Sequence, residues 1–172
     1  MTQKADSSIE YFFAHALALE LEASERLYDV AEMMEVHNNK ALADLFYELS
    51  QESSQHAASI KKQSNHLDLP HLKPWEFHWP GDESPEALDT HELHYLLSPH
   101  QALDVVLDCE KRAMEYYQSV ARTTKNSEIE ALATAFAGEE REHVNLLMER
   151  KKALGQPALD HRIDLDPPHM PE

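Results

Sequence analysis

AGEEREHVNLL, residues 137–147, places Glu140 three residues before His143. On an α-helix that spacing puts a carboxylate and an imidazole on one face, one turn apart, where both reach a single metal ion. An acidic helix with scattered histidines can spell the same motif by chance. The neighbouring residues argue otherwise. Leu132, Phe136, Val144 and Leu147 form the apolar stripe of the same helix, and His143 follows Phe136 by seven residues. The pair therefore points inward, where a carboxylate is costly unless it is paired or metal-bound.

Outward from this stretch, the chain reads as helical. Its 172 residues contain only three glycines, and most of the nine prolines fall in two clusters. Long segments rich in Ala, Leu, Glu and Met remain uninterrupted. Ser7 and Ser8 are N-cap candidates for a first helix to about Val36, broken by His37-Asn38-Asn39. A second helix is expected from about Lys40 to Ser64, antiparallel to the first. Prolines 70, 74, 80 and 85 exclude a long helix over about 65–98. Trp75, Phe77 and Trp79 imply that this connection packs along the body, with a short helix expected over 89–97. Ser98-Pro99 opens a third helix to about Thr124, and Asn126-Ser127 opens a fourth that ends before Gly155. Residues 1–155 thus form one all-α four-helix bundle, and 156–172 an extended or partly disordered tail.

The two halves repeat. Glu20 is followed by Leu27 and Ala31 at seven and eleven residues, as Glu110 is by Tyr117 and Ala121. Leu49 precedes His56 by seven, as Phe136 precedes His143. The spacing Glu20 to His56 is 36 residues and Glu110 to His143 is 33. A repeated helix pair joined by a long crossover gives the ferritin-like four-helix connectivity. Helices 1 and 3 are then expected as neighbours, with Glu20 and Glu110 facing across the bundle axis.

Composition bounds the partners. A net charge of −17 argues against nucleic acid and anionic membranes. No apolar run approaches the roughly 20 residues of a spanning helix. A single cysteine, Cys109, excludes an internal disulfide and a Cys-x-x-Cys metal site, which makes the cytoplasm the expected compartment. Cys109 itself reads as a small buried side chain. His91-x-x-His94 lacks a third ligand nearby, and Asp164, Asp166 and His169 read as solvated.

HALALELEASERLYDVAEMME in helix 1, LFYELSQESSQH in helix 2, PHQALDVVLDCEKRAMEYYQSVA in helix 3 and FAGEEREHV in helix 4 together resemble the rubrerythrin-like branch of the ferritin-like di-iron carboxylate superfamily, over roughly residues 10–152. The resemblance implies metal ligands at Glu20, His56, Glu110, Glu140 and His143. The family glutamate three residues before the second-helix histidine is Ser53 here. Glu52 is the expected stand-in, although one residue of offset rotates a side chain about 100° around the helix. Glu22 is a further stand-in, rotated away from Glu20. Ala113 occupies the position of an extra glutamate found in some members. Tyr117 matches an aromatic position near the metals and is the candidate catalytic side chain, against its ordinary role as a packing residue.

The implied function is a di-iron oxidoreductase of peroxidase type, reducing peroxide or dioxygen, with manganese or zinc as other occupants. One cysteine leaves no iron–cysteine module, so the electron donor is expected to be separate. Ser53 keeps two alternatives open. One is metal binding or iron handling without redox turnover, with the second position weak or empty. The other is a decayed site in a bundle used for interaction, with His56 a core histidine. A homodimer is expected, with Trp75 and Trp79 contributing to its surface.

Overall fold

The computed structural model describes residues 5–88 and 98–155. These form α1 (Ile9–Val36), α2 (Lys40–Gln63), α3 (Pro99–Thr123) and α4 (Ser127–Ala153), with a 3-10 turn at Pro74–Glu76 and no strand among the described residues. The expected helix over 89–97, His91, His94 and the tail lie outside the described residues.

Each helix begins where its sequence supplies a cap. Ser8 Oγ accepts from the Tyr11 amide, and Asn39 Oδ1 from that of Leu42. Asn126 Oδ1 accepts from the amides of Glu128 and Ile129. At Ser98 the cap is reciprocal, because the Gln101 side chain accepts from the Ser98 amide at 2.9 Å and Pro99 needs no donor. Between α1 and α2, Asn38 takes φ 58°, a left-handed conformation that asparagine tolerates better than most side chains.

The core has two parts. Leu27, Val30, Met34, Leu42, Phe46, Leu103, Val106, Val144 and Leu147 belong to one apolar cluster. Phe12, Leu19, Ile60, Tyr117, Ile129 and Phe136 belong to the other. Along every helix the change from one cluster to the other falls at the candidate ligands. Glu20 lies between Leu19 and Leu27, His56 between Leu49 and Ile60, Glu110 between Cys109 and Ala113, and Glu140 and His143 between Ala137 and Val144. The bundle is therefore apolar at both ends of a charged layer.

Helices α1 and α2 pack as one antiparallel hairpin and α3 and α4 as another. Between the hairpins, only the α1–α4 and α2–α3 pairs bring Cα atoms within 8 Å at several positions. Helices α1 and α3, expected as neighbours, bring no Cα atoms within 8 Å of each other, but both flank the crossover: Arg26 on α1 and Arg112 on α3 donate to the adjacent carbonyls of Leu88 and Ala87.

The crossover is pinned to the body, as its aromatic residues require. Phe77 and Trp79 stack at 5.5 Å, and both present to the edge of His15 at 5.2 Å. Trp79 also packs against Tyr116, while Trp75 is 73% exposed. His15 is fully buried. Its Nδ1 donates to the Tyr11 carbonyl at 2.8 Å, which leaves Nε2 to accept from the His78 amide at 3.2 Å. Only the neutral ring can do both. Burial holds its pKa below the ordinary 6.5, against the Tyr11 hydrogen bond, and His78 adds to the lowering.

A depressed pKa in a base gives stability that is complete above the unfolded value and lost as pH falls. His15→Ala should cost about 1–3 kcal/mol at pH 8, the range for leaving a buried donor unpaired. The loss should narrow below pH 6.5. Urea unfolding of both proteins from pH 5 to 8 checks this, and a pH-independent difference would contradict the neutral-ring assignment.

Candidate metal centre

Five candidate ligands meet in the charged layer, one or two from each helix. The His143 Nδ1 lies 3.0 Å from Glu140 Oε2 and 3.3 Å from Glu110 Oε2. The His56 Nδ1 lies 3.5 Å from Glu20 Oε1. The two imidazoles stack face to face, 4.3 Å between centroids and 2° from parallel. Glu20 and Glu140 are 4% and 3% exposed, while the two histidines border an open cavity of about 740 Å³. The layer is dry on its α1 and α3 side and reachable through the α2 and α4 side.

Ligand atoms of Glu110, Glu140 and His143 lie within 4.8 Å of one another. So do those of Glu20, Glu140 and a residue that periodicity did not point to, Glu86. Glu86 belongs to the crossover and is 5% exposed. Glu140 is common to both groups and sits between them. Ser53 is buried and lines the cavity wall. Glu52 also lines the cavity but is exposed and belongs to neither group. Glu22 is turned to the surface, where it accepts from Arg26 at 2.9 Å. Neither expected stand-in joins the cluster, because each is offset around its helix from the inward stripe.

The electrostatics follow from burial. Burial raises the Glu20 carboxyl above the usual range, with His56 opposing. Burial carries Glu140 up to about 8, again against its histidine. Glu86 stands well above the ordinary range through burial, then the proximity of Glu20 and Glu140. His56 is raised chiefly by its contact with Glu20, against burial. His143 rises to about 10, burial opposing, because the Glu110 and Glu140 carboxylates both lie against it. Tyr117 is 1% exposed, and its hydroxyl has no hydrogen-bond partner among the described residues. Burial and then Glu140, Glu20 and Glu86 push its pKa far up, so it stays a neutral donor.

This donor set fits a divalent cation. Carboxylates facing one another in a dry layer repel unless protons or metal ions lie between them. Oxygen donors with one imidazole per position suit iron or manganese and admit zinc. Cys109 is buried, and burial raises its thiol to about 11, so it is an inert packing residue rather than a ligand.

No family profile and no curated protein matches the chain. Among solved structures, it is similar to an uncharacterized conserved protein from Magnetospirillum magnetotacticum MS-1. The two are 37% identical, and the match covers 88% of this chain and 99% of that one with a TM-score of 0.65.

A cation that binds only the folded layer stabilises it by mass action, about 2.7 kcal/mol at a hundred times its Kd. Mn²⁺ or Zn²⁺ should therefore raise the melting temperature of chelator-treated protein. Glu140→Ala should remove that shift, because both clusters use Glu140, whereas His56→Ala should leave part of it. A shift that survives Glu140→Ala and disappears in His56→Ala would reverse the assignment.

Proposed function

The chain belongs to the same family as the uncharacterized Magnetospirillum protein, and from the geometry of its charged layer we propose that the bundle is a di-iron carboxylate centre of the ferritin-like, rubrerythrin-like kind. The observation that carries this reading is the convergence of Glu20, His56, Glu110, Glu140 and His143 between two apolar clusters. The reaction is reduction of peroxide or dioxygen by electrons from a separate donor. The compartment that goes with this chemistry and with a single cysteine is the cytoplasm. Among the described residues, no helix is long and apolar enough to cross a membrane.

Glu110, Glu140 and His143 would hold one ion, and Glu20, Glu140 and His56 the other, with Glu140 between them. Two iron ions held there supply paired oxidation states, and hence the two electrons that convert peroxide to water. The chain contributes placement, dryness and a proton source. The cavity beside His56 and His143 admits a small oxidant, while the apolar clusters close the remaining sides. Tyr117, buried and neutral with an unpartnered hydroxyl near Glu140, would supply a proton to a substrate oxygen in the layer.

A second reading is favoured by Ser53, which supplies no charge where the family has a glutamate. In that reading the site binds or handles metal without redox turnover. The bundle forms a homodimer in either case, with exposed Trp75 as an apolar anchor of its surface. Sedimentation at monomer mass over all concentrations would reject the dimer.

Protein purified from iron-supplemented cells should contain iron, absorb in the near ultraviolet as a coupled ferric pair does, and consume peroxide only when a reductant is added. Tyr117→Phe should keep the iron and lose turnover on the order of 10²-fold, the low end for a missing proton donor. Iron without peroxide consumption supports the second reading. Protein that takes up neither iron, manganese nor zinc contradicts both.

A further inference from the structure

Glu86 has no helical periodicity to explain it, yet the crossover delivers its side chain into the charged layer. We propose that Glu86 supplies the carboxylate that Ser53 lacks, carried by a strap that Arg26 clamps from α1 and Arg112 from α3. The inference rests on the metal reading of the layer and adds a ligand to it.

The strap is residues 83–88. From α1, Arg26 Nη1 donates to the Leu88 carbonyl at 3.1 Å, and its Nη2 approaches Glu83 at 3.4 Å. From α3, Arg112 donates to the carbonyls of Pro85 at 3.0 Å and Ala87 at 3.1 Å. The carbonyls on both sides of Glu86 are thus fixed by one guanidinium. Ala87 and Leu88 are buried, at 5% and 1% exposure. A chain held this way has little freedom to withdraw its acidic side chain.

Two observations point to a ligand in front of Glu86. The carboxylates that face it, Glu20, Glu140 and Glu110, all carry its own sign. The Tyr117 hydroxyl is buried in the field of Glu140, Glu20 and Glu86 and has no hydrogen-bond partner among the described residues. Glu86 lies with Glu20 and Glu140 within ligand distance of one another, so one cation can be bound by all three. Glu20, Glu86, Glu110 and Glu140 make four carboxylates, which balance two divalent ions; without Glu86 there are three. Ser53 stands in the cavity wall with Glu86. A glutamate at position 53 would reach inward three residues before His56, toward the same layer.

Chelator-treated protein dialysed against Mn²⁺, followed by metal analysis, reads the ligand set without any catalytic assay. Wild type should bind two ions per chain and Glu86→Gln one. The variant keeps the side-chain shape and replaces a buried acid with a neutral amide, so folding is not at risk. Ser53→Glu in the Glu86→Gln background should restore the second ion. Arg112→Ala should keep both ions but weaken the second about tenfold or more, the usual effect of losing a group that orients a ligand. Two ions bound at unchanged affinity in Glu86→Gln would overturn the inference while leaving the metal reading intact. One ion in both wild type and Glu86→Gln would overturn it equally. No ion in wild type would instead defeat the reading on which it rests.

Discussion

A layer of buried carboxylates between two apolar clusters is the constraint on which this structure turns. Removing a carboxylate from water costs several kcal/mol even after relaxation. Here several are removed together and set facing one another. The apolar clusters above and below provide the opposing stability, at roughly 1.5–3 kcal/mol for each large side chain fully buried. Phe12, Leu19 and Phe136 on one side and Leu42, Phe46 and Leu103 on the other are nearly or fully inaccessible. Four helices of about equal length let both clusters form, so the charged layer need not be stable alone. A bound cation would complete such a layer.

The crossover belongs to the same design. It is held to α1 through neutral His15 and through Arg26, and to α3 through Arg112. Two helical hairpins can share a core with any connection long enough to join them. This one is instead fixed by hydrogen bonds to its backbone, and it brings Glu86 into the layer.

Much of this was legible in the sequence, for specific reasons. The caps at Ser8, Asn39, Ser98 and Asn126 are local chemistry, so the helix starts could be read directly. Glu20, Glu110, Glu140, His56 and His143 were legible because the hairpin repeats, and a repeat distinguishes a shared inward face from chance. Two features were not legible. That α1 and α3 meet through the crossover rather than by close backbone contact depends on how the hairpins dock, which no spacing within a helix records. Glu86 lies in Ser84-Pro85-Glu86-Ala87-Leu88, where prolines remove the period that assigns a side chain to a face. The apolar Ala87 and Leu88 beside it were the one signal of burial. Ser53 marked the place of a missing ligand without indicating where its replacement would come from, and the helical stand-ins Glu52 and Glu22 remain outside the cluster.

The central claim is that this layer holds metal. Its most direct test is anomalous diffraction at the iron absorption edge, from crystals of protein purified from iron-supplemented cells. The account predicts anomalous density inside the layer, bounded by Glu20, Glu110, Glu140, His56 and His143. Iron present in the crystal but located only at the surface, with these carboxylates bridged by water or protons alone, would contradict it.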